Sequence, residues 1–139
     1  MTTIRRLETT ATVLFPHSST SVGSARRRFA ADLAKRGVPR PIADDAILVL
    51  SEMLSNALRH ARPLGSGKIK VAWDIRGTTI EIQVTDGGGA TRPHPAQPSV
   101  SSLGGRGLSI VTTLTSDWGV RTEGAHTTVW AVMPAKLSA

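Results

Sequence analysis

One segment organises this sequence: Ser51-Glu52-Met53-Leu54-Ser55-Asn56-Ala57-Leu58-Arg59-His60. It lies within residues 41–61, where apolar residues recur at helical spacing. Glu52 and Asn56 are four residues apart, so they share one face of the predicted helix, with His60 one turn later. Burying unpaired polar groups costs free energy, so this face needs partners. They are either solvent or a bound cation and anion, and two later glycine-rich segments favour the bound ligands.

The pattern of the chain predicts an α+β fold. Strands are expected at residues 9–15, 68–75, 78–85, 117–122 and 127–133, and helices at residues 22–35, 41–61 and 108–114. Pro41 suits the first turn of the second helix, and Asp44 and Asp45 suit the positive end of its dipole. Hairpins with helices between them predict a two-layer α/β sandwich, with the helices on one face of a mixed, mainly antiparallel sheet.

Composition is typical of one globular domain, with 139 residues, 40% hydrophobic and 19% charged. We expect a single domain over residues 1–139, with a core at about residues 9–134 and frayed tails. The absence of cysteine excludes disulfides, thiol nucleophiles and cysteine zinc sites. The sequence contains neither an apolar signal core nor a run of membrane-spanning length, so we expect a cytoplasmic protein without a membrane partner.

The formal charge of +7 favours anionic partners: nucleotides, nucleic acids or acidic proteins. Arg26, Arg27 and Arg28 are adjacent, so on a helix they point in different directions and do not form one patch. No basic stripe interleaved with aromatic residues and no zinc-finger or zipper spacing occurs in the sequence. Direct nucleic-acid binding is therefore disfavoured.

Two glycine-rich segments complete a candidate ligand site. Asp86-Gly87-Gly88-Gly89 follows a predicted strand, and Gly104-Gly105-Arg106-Gly107 precedes a predicted helix; the residues between them are expected to form a mobile lid. Glycines let the backbone approach a ligand, and helix N-terminal amides attract phosphate. A carboxylate can accept a hydrogen bond from an exocyclic amine such as that of adenine. The Asn56 carbonyl oxygen can hold a hard cation, and Glu52 can orient or deprotonate a nucleophile.

In this order, the three segments resemble the motifs of the GHKL ATPase superfamily, which has the Bergerat, or histidine-kinase-like ATPase, fold. Residues 51–61 resemble its N box, Asp86-x-Gly88 its G1 box and Gly105-Arg106-Gly107-Leu108-Ser109-Ile110-Val111 its G2 box. Residues 127–134 resemble its closing strand. Within the superfamily, the chain most resembles the stand-alone anti-sigma-factor serine/threonine kinases of actinobacteria, which are RsbW- and SpoIIAB-like. The cues are Phe15-Pro16, Val22-Gly23-Ser24-Ala25-Arg26 and Asp44-Asp45.

The resemblance implies that ATP and Mg²⁺ are the cofactors and assigns roles to residues. Asn56 would be the magnesium ligand, and Glu52 the catalytic base or water-positioning carboxylate. Asp86 would bind the adenine amine, helped by Gly88 and Thr127. The other residues implied to contact the nucleotide are Arg59, His60, Gly104, Gly105, Arg106, Gly107 and Leu108.

The resemblance also implies partners. The protein would phosphorylate a serine or threonine of a STAS-type anti-anti-sigma protein and sequester a sigma factor, and a homodimer is a further option. The alternative is a nucleotide-dependent protein-binding regulator without phosphotransfer. Two departures from the family bear on nucleotide affinity, because Ala90 and His126 stand where glycine is common.

Overall fold

The computed structural model describes residues 8–89 and 106–136. In chain order its elements are β1 (Glu8–Pro16), α1 (Thr20–Lys35), α2 (Arg40–His60), β2 (Lys68–Arg76), β3 (Thr79–Asp86), α3 (Arg106–Leu114), β4 (Asp117–Glu123) and β5 (His126–Pro134). Every predicted helix and strand is present, with ends shifted by two residues or fewer. None of these helices is both long and apolar enough to cross a membrane.

The five strands form one sheet in the order β1-β2-β3-β5-β4, and each neighbouring pair is antiparallel. Gly77 and Gly124, with φ of 59° and 60°, form the turns of the β2–β3 and β4–β5 hairpins. The parallel pairing that a mixed sheet allows does not occur among the described strands. β3 and β4 run in the same direction, but β5 lies between them.

The hydrophobic core lies between one face of the sheet and the helices, as the two-layer prediction requires. Alternate strand residues point into it, so β2 buries every second side chain along its length. From α1, the Phe29 ring packs on Trp73 at a centroid distance of 5.0 Å and a tilt of 44°. The buried Trp73 indole is satisfied because its Nε1 donates to Asp32 Oδ2 at 2.8 Å. These contacts fix α1 over β1 and β2, at one side of the sheet.

The ends of the helices agree with most of their sequence signals. Gly37, with φ of 71°, follows α1, and its amide donates to the Ala34 carbonyl oxygen at 3.0 Å, closing the last turn. Pro41 lies in the first turn of α2, as predicted. The prediction that Asp44 and Asp45 serve the positive end of the dipole is wrong, because α2 begins at Arg40 and its first turn contains no acidic residue.

Candidate functional site

The polar face of α2 centres on Asn56, whose side chain is buried and only 9% exposed. Helical side chains lean toward the N-terminus, so a residue three positions later can reach back. Arg59 does so, and its Nη2 donates to Asn56 Oδ1 at 2.9 Å. The Asn56 Nδ2 is also buried and has no hydrogen-bond partner among the described residues. The amide oxygen of Asn56 is therefore bonded to the cationic group of Arg59, whereas its amide nitrogen lacks an acceptor among the described residues.

Glu52 and His60 flank Asn56 on the same helix. Glu52 lies one turn earlier and is half-buried, whereas His60 is the last residue of α2 and is exposed, as is Arg59. The predicted arrangement of these residues along one helix is present. A half-buried carboxylate beside a buried amide can orient a hydroxyl group at the edge of the core.

Asp86 is the last residue of β3, and it pairs with Thr127 of β5. Its side chain is 5% exposed, and its Oδ1 accepts a hydrogen bond from the Gly88 amide at 2.7 Å. Burial raises the pKa of the Asp86 carboxyl, and the Gly88 hydrogen bond and the nearby His17 and His126 only partly oppose that rise. A carboxylate accepts up to about four hydrogen bonds, so Asp86 can bind an exocyclic amine and keep the one from Gly88.

The end of α2 is joined to the loop after β3 by backbone hydrogen bonds. The Arg62 amide donates to the Gly88 carbonyl oxygen, and the Gly87 amide donates to the Arg62 carbonyl oxygen, both at 2.8 Å. Ala61 and Gly89 form an antiparallel bridge beside them. The tertiary structure thus brings the helix of Glu52 and Asn56 to the loop of Asp86 and Gly88.

Both glycines of this junction are required by their surroundings. A Cβ on Gly87 would lie 2.1 Å from the Pro63 carbonyl oxygen, which is far below contact distance. Gly88 has φ of 92°, and a Cβ there would lie 2.9 Å from the Ala125 carbonyl oxygen. Sequence reasoning assigned a role to Gly88 but missed the role of Gly87. That role arises from contact with Pro63, a residue 24 positions earlier, and this contact is not visible in the sequence.

Sequence reasoning also missed His17, which follows β1. Its Nε2 lies 3.0 Å from the Ala61 carbonyl oxygen and donates to it, since a carbonyl oxygen only accepts. His17 also acts electrostatically on Asp86. It therefore ties the end of α2 to the first strand beside the Asp86 carboxyl. Only its position after the Phe15-Pro16 cue could have drawn attention to it.

The remaining predicted residues lie around α3 and β5. Gly104 and Gly105, with the predicted lid and Ala90, lie outside the described residues. Arg106 and Gly107 form the start of α3, which packs against α2. Leu108 is 3% exposed within the hydrophobic core, so only its backbone is free to meet a ligand. Thr127 is buried beside Asp86, and its Oγ1 would lie 4.0 Å from a Cβ on Gly88.

The donor set at Asn56 suits a cation that arrives with its own ligands. No group of three or more His, Asp or Glu side chains is placed to hold a metal ion within residues 8–89 and 106–136. Mg²⁺ bound with phosphates needs only one or two protein ligands, because phosphate oxygens and water complete its octahedron. Asn56 Oδ1 fits that requirement, since it is an oxygen atom that already binds the cationic guanidinium of Arg59.

The comparisons with known proteins concern nearly the whole chain. A family model described as "Histidine kinase-like ATPase domain" matches residues 15–133. No curated protein matches the sequence significantly.

Among solved structures, the chain is similar to the crystal structure of the RsbU and RsbW domains of Rv1364c from Mycobacterium tuberculosis, with a TM-score of 0.67 and 17% identity. The match covers 94% of this chain and 35% of that one, so the chain spans about a third of its length. At this identity, the similarity concerns the fold.

Proposed function

Because the chain belongs to the family of histidine kinase-like ATPase domains, we propose that it binds Mg-ATP and regulates a partner protein by phosphorylating it. The finer proposal is a serine/threonine kinase of the anti-sigma-factor type. It would act on a STAS-type anti-anti-sigma protein and sequester a sigma factor, in the cytoplasm and without a direct nucleic-acid partner. A homodimer is part of the same proposal.

One observation carries the nucleotide site: the half-satisfied Asn56 amide lies on the helix whose end is bonded to the loop of Asp86. Both side chains are buried at the edge of a core whose members are mostly apolar. An unpaired polar group at such depth costs about 1–3 kcal/mol, so its retention is best explained by a ligand that completes it. An adenine nucleotide offers both an amine for Asp86 and phosphate oxygens for the Asn56 nitrogen.

The residues then have distinct roles. Asp86 accepts a hydrogen bond from the adenine amine, and Gly88 and Thr127 leave room beside it. The start of α3, from Arg106 to Leu108, directs backbone amides at the phosphates. Asn56 Oδ1 would hold Mg²⁺, and Arg59 and His60 follow it by three and four residues on the same face of α2. When bound, Mg²⁺ would neutralise charge on the β- and γ-phosphates.

Glu52 completes the proposed transfer step. Its carboxylate accepts the proton of the acceptor hydroxyl group, and that oxygen forms a bond to the γ-phosphorus. The bond from the γ-phosphorus to the bridging oxygen breaks, and ADP leaves. Glu52 is half-buried one turn before Asn56 on α2, farther from the helix end that is bonded to the Asp86 loop. This position supports its proposed role beside the phosphates.

The partner proposal is supported by the ordered motifs of the sequence and by the likeness in fold to a chain that contains an RsbW domain. The second candidate, a nucleotide-dependent regulator without phosphotransfer, needs the same nucleotide site but no role for Glu52. The two candidate functions differ only in the role of Glu52.

Calorimetric titration with ATP, with and without Mg²⁺, tests the nucleotide site. We expect Mg-dependent binding that Asn56→Ala weakens by about a hundredfold or more, as expected for loss of a metal ligand and a buried amide. Ser55→Ala, at the neighbouring half-buried position, should bind like the wild type. Equal binding by Asn56→Ala and Ser55→Ala would refute the assigned site.

Transfer of labelled γ-phosphate to STAS-type proteins tests the chemistry. Glu52→Gln should bind ATP normally and lose transfer by about a hundredfold or more, the usual contribution of a general base. Undiminished transfer by this variant would exclude Glu52 as the base. If the wild type binds ATP and transfers no phosphate, the second candidate function is correct.

A further inference from the structure

The metal ligand of the proposed site is already occupied by a cation from the chain itself. The Arg59 guanidinium donates to Asn56 Oδ1, the atom that is assigned to Mg²⁺. The Arg59 side chain is exposed, so it can leave without opening the core. The Asn56 side chain is fixed in the core, so the exchange must be made by Arg59.

The chemistry of the two cations makes them competitors. A carbonyl oxygen has two lone pairs, but Mg²⁺ and a guanidinium that share one oxygen atom repel each other. Mg²⁺ also demands near-ideal octahedral geometry, and an arginine that stays hydrogen-bonded to the Asn56 oxygen disturbs that geometry. A guanidinium displaced from Asn56 has a better partner close by, because phosphate oxygens bind its fork of donors with two hydrogen bonds.

We propose that Arg59 occupies the metal position of the empty site and moves from Asn56 to the nucleotide phosphates when Mg²⁺ enters, so that it sets how strongly nucleotide binding depends on Mg²⁺. Without Mg²⁺, the Arg59 guanidinium stays at the metal position and supplies there the positive charge that attracts the phosphates. The inference rests on the proposed function, since it needs a nucleotide in the site.

The test is calorimetric titration of the full chain with ATP, once with Mg²⁺ and once with EDTA. The readout is the ratio of the two dissociation constants, EDTA over Mg²⁺. Arg59→Ala should weaken binding in EDTA by about tenfold or more, the usual factor for a charged hydrogen bond. With Mg²⁺ the loss should be smaller, because Asn56 Oδ1 no longer has to be vacated. The ratio should therefore rise clearly above that of the wild type.

Two further variants separate this exchange from a general charge effect. Arg62→Ala removes the same charge three residues later, where the side chain is exposed and only the backbone bonds to the loop. Its ratio should match that of the wild type. Arg59→Lys keeps the charge but loses the fork, and its ratio should lie between those of the wild type and Arg59→Ala.

Each remaining outcome is decisive. If Arg59→Ala lowers affinity by the same factor in both conditions, or if Arg62→Ala raises the ratio as much as Arg59→Ala does, Arg59 has no special relation to the metal and the inference is wrong. If the wild type binds no ATP in either condition, the proposed function itself fails. Circular dichroism of each variant, compared with the wild type, excludes loss of folding as the cause.

Discussion

At the residue scale, the side chains of Asn56 and Asp86 depart from the rule that buried side chains are apolar or fully hydrogen-bonded. Both are at least nine-tenths buried, and neither is fully satisfied by what surrounds it. The Asn56 nitrogen has no acceptor among the described residues, and the Asp86 carboxylate is held where burial disfavours its charge. Such groups lower stability, so they mark the place where a ligand would restore it.

The replacement Asp86→Asn should stabilise the protein near neutral pH. The raised pKa means that the folded state holds this proton more tightly than the unfolded chain does. The stability from this group is therefore largest at low pH and is lost as pH rises from about 4 through the folded pKa. Asparagine removes that loss, so urea unfolding should show a variant that is more stable than the wild type at neutral pH and less dependent on pH.

The same variant should weaken ATP binding by about tenfold or more, because a hydrogen bond to a charged acceptor is lost. Asp44→Asn is the control, since that carboxylate is exposed and its one ion pair within residues 8–89 and 106–136 is with Arg40, at 3.8 Å. Asp44→Asn should change neither the free energy of unfolding nor the affinity for ATP. A destabilised Asp86→Asn protein at neutral pH would contradict the argument from burial.

At the scale of elements, the site depends on the junction between the end of α2 and the loop after β3. Two backbone hydrogen bonds and a bridge join them, and His17, which follows β1, adds a side-chain hydrogen bond to the Ala61 carbonyl oxygen. The close approach leaves no space for a side chain at Gly87. The positions of Asn56 and Asp86 relative to each other therefore depend on the absence of a side chain at Gly87.

Gly87→Ala should force this junction apart. A Cβ at 2.1 Å from a backbone oxygen cannot be accommodated by a side-chain rotation, so we expect a loss of about 1–3 kcal/mol in the free energy of unfolding, as for other overpacked sites. ATP affinity should fall as well, because Asp86 and Gly88 move with the loop.

The matched control is Gly65→Ala, in the turn before β2, where a Cβ meets nothing within 4 Å. Denaturant unfolding and ATP titration of both variants provide the comparison. Equal stability of the two variants would show that the junction yields easily and does not position the site.

At the scale of the whole molecule, the proposed ligand would contact elements that are far apart in the chain. Asn56 belongs to α2, Asp86 to β3 and Thr127 to β5, while α3, which packs against α2, begins at Arg106. A ligand that contacts all of them binds the folded state and not the unfolded chain. Its binding energy is therefore added to the stability of the fold.

Mg-ATP at a hundred times its dissociation constant should raise the free energy of unfolding by about 2.7 kcal/mol. Thermal unfolding should show a higher midpoint with Mg-ATP and little change with Mg-GTP, because guanine does not offer its amine at the adenine position. Asn56→Ala should lose the increase. An equal midpoint with and without Mg-ATP, at concentrations that saturate calorimetric binding, would mean that the ligand does not bridge these elements.

The sequence by itself determined the elements and the family motifs. Periodicity located the three helices and five strands of the part of the chain that the structure describes, because each element must present an apolar face to one core. Glycine stands after α1 at Gly37 and in the β2–β3 turn at Gly77, because both positions adopt positive φ. The polar residues of α2 and the glycine-rich segments were visible because they interrupt apolar patterns.

Only the tertiary structure decided how these parts meet. That β5 lies between β3 and β4, that Pro63 excludes a side chain at Gly87, and that His17 reaches Ala61 are all consequences of contacts between distant residues. Local patterns carry no record of such contacts, because they are set by the free energy of the whole packed chain.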